Sequence, residues 1–100
     1  MKTYLIRAIV RLDVPIDDPY GWAVDHVEAS DLSEELKAAW FCAAWADEPD
    51  RVEFWFPVRA NEDSTKRYSR EIELFLSHMP HVEEGPKISV EEQPDNQVRH

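Results

Sequence analysis

Apolar and polar residues alternate along the start of the chain. Tyr4, Ile6, Ala8, Val10, Leu12 and Val14 fall on one side, and Thr3, Leu5, Arg7, Ile9, Arg11 and Asp13 on the other. Successive side chains of a strand point to opposite faces, so this period of two predicts a long strand over 3–14 with one face in the core. Pro15, Asp17, Asp18, Pro19 and Gly21 then break the pattern into a loop. Residues 22–29 fit two patterns. As a helix they would be capped by Asp18, with Pro19 at the first position and Tyr20, Val24 and Val27 aligned. As a strand they place Trp22, Val24 and His26 together. The strand is the preferred reading, because Ser30 and Asp31 look like a fresh helix start.

Asp31 and Glu34 have the spacing of a capping box, and predict a helix through Leu32, Leu36, Trp40 and Ala43 to about Ala46 or Asp47. Its second half is apolar nearly all round, which implies burial on several sides or an outer face given to a partner. Asp47-Glu48-Pro49-Asp50 reads as a turn. Val52, Phe54, Phe56 and Val58 alternate with Glu53, Trp55 and Pro57 to give a second strand. Pro57 has no N–H to donate, so it marks an edge or the strand's end. Asp63 or Ser64 is the expected cap of another helix, with a core stripe of Tyr68, Ile72, Phe75, Leu76 and Met79 and a stop at Pro80. Residues 87–92 form a short last strand with Ile88 and Val90 inward. Residues 94–100 read as a flexible C-terminal tail after a single domain over 1–93. The order β(β)αβαβ predicts an α+β fold: an antiparallel or mixed four-stranded sheet with two helices on one face, ferredoxin-like or a near relative.

Composition narrows the function classes more than it names one. At 43% apolar and 100 residues, the chain has enough hydrophobic material for one core despite its net charge of −10. No apolar run approaches the roughly 20 residues of a membrane helix. Arg7 and Arg11 interrupt the N-terminal run before it could act as a signal core. Cys42 is the only cysteine, so the expected compartment is the reducing cytoplasm. Two isolated glycines, Gly21 and Gly85, cannot write a phosphate-cradling loop or a dinucleotide fingerprint.

The charge is unevenly placed. Residues 13–53 hold twelve acids against only Lys37 and Arg51, and carry the whole excess, while nine acids and nine bases cancel elsewhere. Acids at helix starts and in turns serve capping and solubility. A carboxylate-dense face can also dock a basic surface, steer association and compete with the anion that surface normally holds.

Other candidate chemistry is thinner. His78 and His81 flank Met79-Pro80 with metal-like spacing, but too few further ligands are near for a zinc set, so no metal is expected. Asp25, His26 and Glu28 could form an acid–base group, yet nothing marks a nucleophile beside them. Cys42 lies among aromatic and small residues and reads as core. Lys66, Arg67 and Arg70, with Arg59 upstream, could hold an anion at a helix N-terminus or offset neighbouring acids.

The expectation is therefore a small acidic binding protein, not an enzyme, with no cofactor. It would inhibit or regulate a partner by covering its basic surface, for instance that of a nucleic-acid-binding protein, without touching nucleic acid or membrane itself. Immunity proteins and phage-encoded inhibitors of defence systems share this size and charge as a class. Asp17, Asp18, Glu34, Glu35, Asp47, Glu48 and Asp50 are the expected docking acids, with Trp45 and Trp55 as apolar anchors. The alternatives are a ferredoxin-like dimeric ligand-sensing domain or small enzyme, with a cleft lined by Tyr4, Trp22 and His26 and Arg7 or Arg11 at its mouth, and a homodimer held through the first helix or the open sheet face.

Overall fold

A computed structural model describes residues 1–94. Except for Pro94, the expected tail lies outside them. The elements are β1 (Lys2–Leu12), α1 (Pro19–Ala29), α2 (Glu34–Ala38), β2 (Phe41–Ala44), β3 (Arg51–Ala60), α3 (Glu62–Ser77) and β4 (Val82–Gln93). Among the described residues four strands form one antiparallel sheet in the order β2-β3-β1-β4, accompanied by three helices, so the fold is α+β.

The period of two in β1 and β3 has the predicted consequence. Tyr4, Ile6, Ala8, Val10 and Leu12 are buried beside Val58, Phe56, Phe54 and Val52. The core joins this sheet face to Ala23 and Val27 of α1, Leu36 of α2, and Tyr68, Ile72 and Leu76 of α3, with Met79 just beyond. β1 ends at Leu12, and Val14 is exposed. Pro57 lies inside β3 rather than at its end. β2 reaches only as far as Trp55, so at Pro57 the strand has β1 alone as a neighbour and tolerates the missing N–H.

Between residues 19 and 46 the structure corrects the sequence reading. Residues 22–29 are helix, not strand. Asp18 caps α1 by accepting from the Gly21 N–H at 3.0 Å, and Pro19 sits in the first turn, where its missing N–H costs nothing. The long helix expected over 31–46 is only five residues, α2. It starts after Ser33, whose N–H and hydroxyl both donate to the Glu71 carboxylate of α3 at 2.8 Å; the Asp31–Glu34 capping box is not used. Ala39 is extended, and the apolar stretch becomes the edge strand β2, with Cys42 buried and Phe41 on the opposite face. A strand between a core and an open, aromatic-covered face is apolar on both sides, which over four residues is indistinguishable from an all-apolar helix.

Two smaller corrections lie further on. Asn61, not Asp63 or Ser64, caps α3, its side chain accepting from the Ser64 N–H at 2.8 Å. β4 is twelve residues long instead of six, because Gly85 carries the strand through an irregularity in its pairing with β1. Gly85 has φ +105°, and a Cβ there would stand 2.8 Å from the Ile9 carbonyl oxygen. Glycine alone fits.

Candidate interaction surface

The face of the sheet away from the core is built from the odd positions of β1 and β3. Across it, Phe41 of β2 lies beside Trp55 of β3, which lies beside Arg7 of β1. The Phe41 and Trp55 rings stack at 5.7 Å between centroids. Around the β2 edge the stack continues: Tyr20 of α1 meets Phe41 at 6.1 Å and Trp40 at 4.8 Å, and Trp40 reaches Phe54 in the core at 6.2 Å. Phe41 is 54% exposed and Tyr20 42%, so the outer end of this column is open to water while its root is buried. Aromatic stacking of this kind holds a short strand in place and leaves a rigid apolar patch at the surface.

Acids of the 13–53 segment adjoin the elements that carry this patch. Asp17 and Asp18 precede Tyr20 at the start of α1, and the Asp18 charge is near enough to Cys42 of β2 to raise its thiol pKa. Glu34 and Glu35 occupy the first turn of α2, which leads into β2, and Asp47 lies in the loop that leaves β2. All five are exposed, and among the described residues none takes part in an ion pair.

Glu48 and Asp50 are placed differently. Glu48 pairs with Arg51 at 3.2 Å and with Arg11 at 3.5 Å, and Arg11 also approaches Asp50 at 3.9 Å and Glu84 at 3.5 Å. These half-exposed charges fasten the β2–β3 loop onto β1 and β4. Trp45 belongs to the same fastening: its indole N–H donates to Glu53 at 3.2 Å, and the Arg51 guanidinium lies 4.9 Å from its ring centroid. Glu53 in turn holds Arg7 at 3.4 Å. Trp45 and Phe41 therefore do not lie on a helix, where the sequence reading places residues 31–46. They flank β2 on its open side, and Trp55 stands between Phe41 and Arg7.

Sequence reasoning missed Phe41 and Tyr20, the two most open members of the aromatic column. Their signal was hidden by the misread helix, since Phe41 counts as a surface residue only once β2 is known to be a strand.

The remaining candidates disperse. Asp25, His26 and Glu28 are on α1 rather than a strand, and all three are exposed. His78 Nδ1 donates to the Leu74 carbonyl at 2.9 Å, whereas His81 pairs with Asp13 at 3.2 Å, so the two histidines turn to separate partners. No cluster of three metal-ligating side chains occurs among the described residues. Cys42 is buried, and burial, aided by the Asp18 charge, pushes its thiol up to about 12, which leaves it a poor nucleophile. Arg67 pairs with Glu71 at 3.9 Å and covers the Tyr68 ring, while Lys66 and Arg70 line an open groove beside β4. Tyr4 points into the core, and Arg7 and Arg11 stand on the opposite face of the same strand, so the cleft imagined for a ligand-sensing domain is not assembled. No helix among the described residues is long and apolar enough to cross a membrane.

Neither a protein-family model nor a curated protein matches the chain.

Proposed function

We propose that the protein is a small acidic binding protein that docks its β2 edge against the basic surface of a protein partner and so inhibits or regulates it. The observation that carries this reading is an aromatic column, Tyr20–Phe41–Trp55, whose outer end is open to water, on elements whose adjoining acids Asp17, Asp18, Glu34, Glu35 and Asp47 are exposed and have no ion pair among the described residues. Aromatic anchors inside a charged rim are the usual division of labour at an interface: the rings supply buried area, and the rim supplies orientation and rate. Carboxylates carry the same sign of charge as phosphates, so a nucleic-acid-binding surface is a partner of the right charge. Glu48, Asp50 and Trp45 hold the loop that presents this edge. The architecture is read in the same spirit as a variant of the ferredoxin-like arrangement, with β1 and β3 central and α2 as a short added helix.

The test is capture of partners from a lysate in graded salt. Basic partners should be retained at low salt and released by about 0.5 M, where the Debye length is about 4 Å. The combined Glu34→Lys, Glu35→Lys, Asp47→Lys variant should lose that capture, and Phe41→Ser should weaken it at least ten-fold. The triple variant should unfold within about 0.5 kcal/mol of the wild type, as surface substitutions do, whereas Phe41→Ser also removes a ring of the stack that holds β2 and should lower the unfolding midpoint. Capture that survives the triple reversal sinks the proposal.

A further inference from the structure

The other edge of the sheet carries an independent signal. β4 is twelve residues long, it pairs with β1 on one side, and among the described residues no strand pairs with its outer side. Gly85 and Pro86 break up the first part of that edge, Pro86 having no N–H to offer. Residues 87–91 have no such protection. Ile88 lies beside Ala8 and Val90 beside Ile6, so both point to the buried side of the sheet, yet Val90 is 44% exposed. With Lys66, Ser69, Arg70 and Glu73 of α3 they line an open groove along the strand. Lys87 and Glu91 point to the opposite side, beside Ile9 and Leu5, and Lys87 has no ion pair among the described residues.

We propose that this edge pairs with the same edge of a second copy, antiparallel about a two-fold axis at Ser89, to make one continuous eight-stranded sheet. The sequence of the edge is complementary to itself in that register and in no neighbouring one. Ser89 faces Ser89 of the second copy. Ile88 then faces Val90, twice, which covers the exposed valines. Lys87 faces Glu91, twice, which places opposite charges directly across the new ladder, where such pairs are stabilising. Centring the axis on Val90 instead would put Ile88 against Glu92 and Ser89 against Glu91, losing both matches. In the chosen register the two α3 helices also approach across the groove, with Lys66 and Arg70 of one towards Glu73 of the other. An isologous contact of this kind closes on itself, so it gives a dimer and not a fibre.

Light scattering and sedimentation of the full chain from about 5 to 200 µM decide the matter. Twice the monomer mass is expected in the upper part of that range. Lys87→Glu or Glu91→Lys alone sets like charges opposite each other at two places and should weaken dimerisation about ten-fold or more. The double variant Lys87→Glu/Glu91→Lys restores both pairs and should return to wild-type affinity. Both side chains are exposed, so circular dichroism should show every variant folded. Ser89→Cys should form an intermolecular disulfide under mild oxidation, whereas the wild type, with only the buried Cys42, should not. A chain that is monomeric throughout, or a dimer indifferent to the single reversals, overturns the proposal. So does a dimer that Phe41→Ser dissolves and the charge swaps do not, because that places the contact on the open face. Failure of Ser89→Cys to cross-link in a dimeric sample removes the register.

Discussion

The two edges of this sheet are held by different means. The β4 edge is a long ladder against β1, beside a sixteen-residue helix with its own cap and its own apolar stripe. The β2 edge is four residues long and has no comparable local support. It stays in place because Trp40, Phe41 and Tyr20 stack into a column rooted on Phe54, because Leu36 anchors the preceding α2 in the core, and because Glu71 reaches from α3 to hold Ser33. One edge is held by a long backbone ladder and a neighbouring helix, the other by a short ladder and a few side-chain contacts. That difference predicts unequal stability along the sheet, with the β2 side opening first.

The largest effect should come from removing the α2 anchor. Leu36 is fully buried and is the only buried residue of α2. Leu36→Ala should cost about 2–5 kcal/mol in denaturant unfolding, the range for removing a buried leucine and leaving a cavity. Val90→Ala, on the half-open β4 edge, should cost well under half of that in the monomer. Hydrogen exchange sharpens the contrast: in Leu36→Ala the amides of β2 should lose protection before those of β1 and β3. Equal loss across all four strands would mean that the two edges unfold as one unit.

This contrast also explains what was legible in the sequence. The strands β1 and β3 and the helix α3 follow from periodicity because each buries one face over ten or more residues, long enough for the period to declare itself. α1 was misassigned although its signals, Asp18 and Pro19, are in the sequence; Ser30 and Asp31 competed with them as a helix start. β2 could not be read at all. Ala38, Ala39, Ala43 and Ala44 favour helix by propensity, and the partner that makes 41–44 a strand is Val52–Trp55, across a loop. The acids of the candidate surface were visible as composition. Which of them face water unpaired, and which are spent on Arg11 and Arg51, depends on the register of β1, β3 and β4 and so was not.

A second break tests the β4 side. Gly85→Ala places a Cβ against the Ile9 carbonyl in a backbone conformation that side chains rarely adopt, and no flexible group is there to give way. The expected loss is about 1–3 kcal/mol, the usual cost of a strained backbone residue, read as a lower midpoint in chemical unfolding. Because the strain sits where β4 crosses Ile9 and Val10, exchange protection should fall first in residues 82–86 and leave the β2 edge as it was. An unchanged midpoint would mean that the strand slips to relieve the contact, and that the irregularity after Ile9 is not fixed by glycine.

The smallest effect is the most local. Cys42 reports on the β2 edge because its thiol is buried and raised to about 12 by that burial first and the Asp18 charge second. In the unfolded chain the thiol titrates near its ordinary value of about 8.5. The folded state therefore holds the proton after the unfolded state has lost it. This contribution to stability is complete below about pH 8.5 and is lost as pH rises towards 12. Relative to Cys42→Ala, the wild type should become progressively less stable over that window. At pH 8 a thiol reagent should label Cys42 only through opening of the β2 edge, at a rate that Leu36→Ala accelerates. Asp18→Asn keeps a side-chain oxygen to cap Gly21 but removes the charge, so stability should change little while the pH at which labelling begins moves down. If the pH threshold stays where it was, burial alone sets the thiol, and the Asp18 carboxylate faces the solvent rather than the strand it borders.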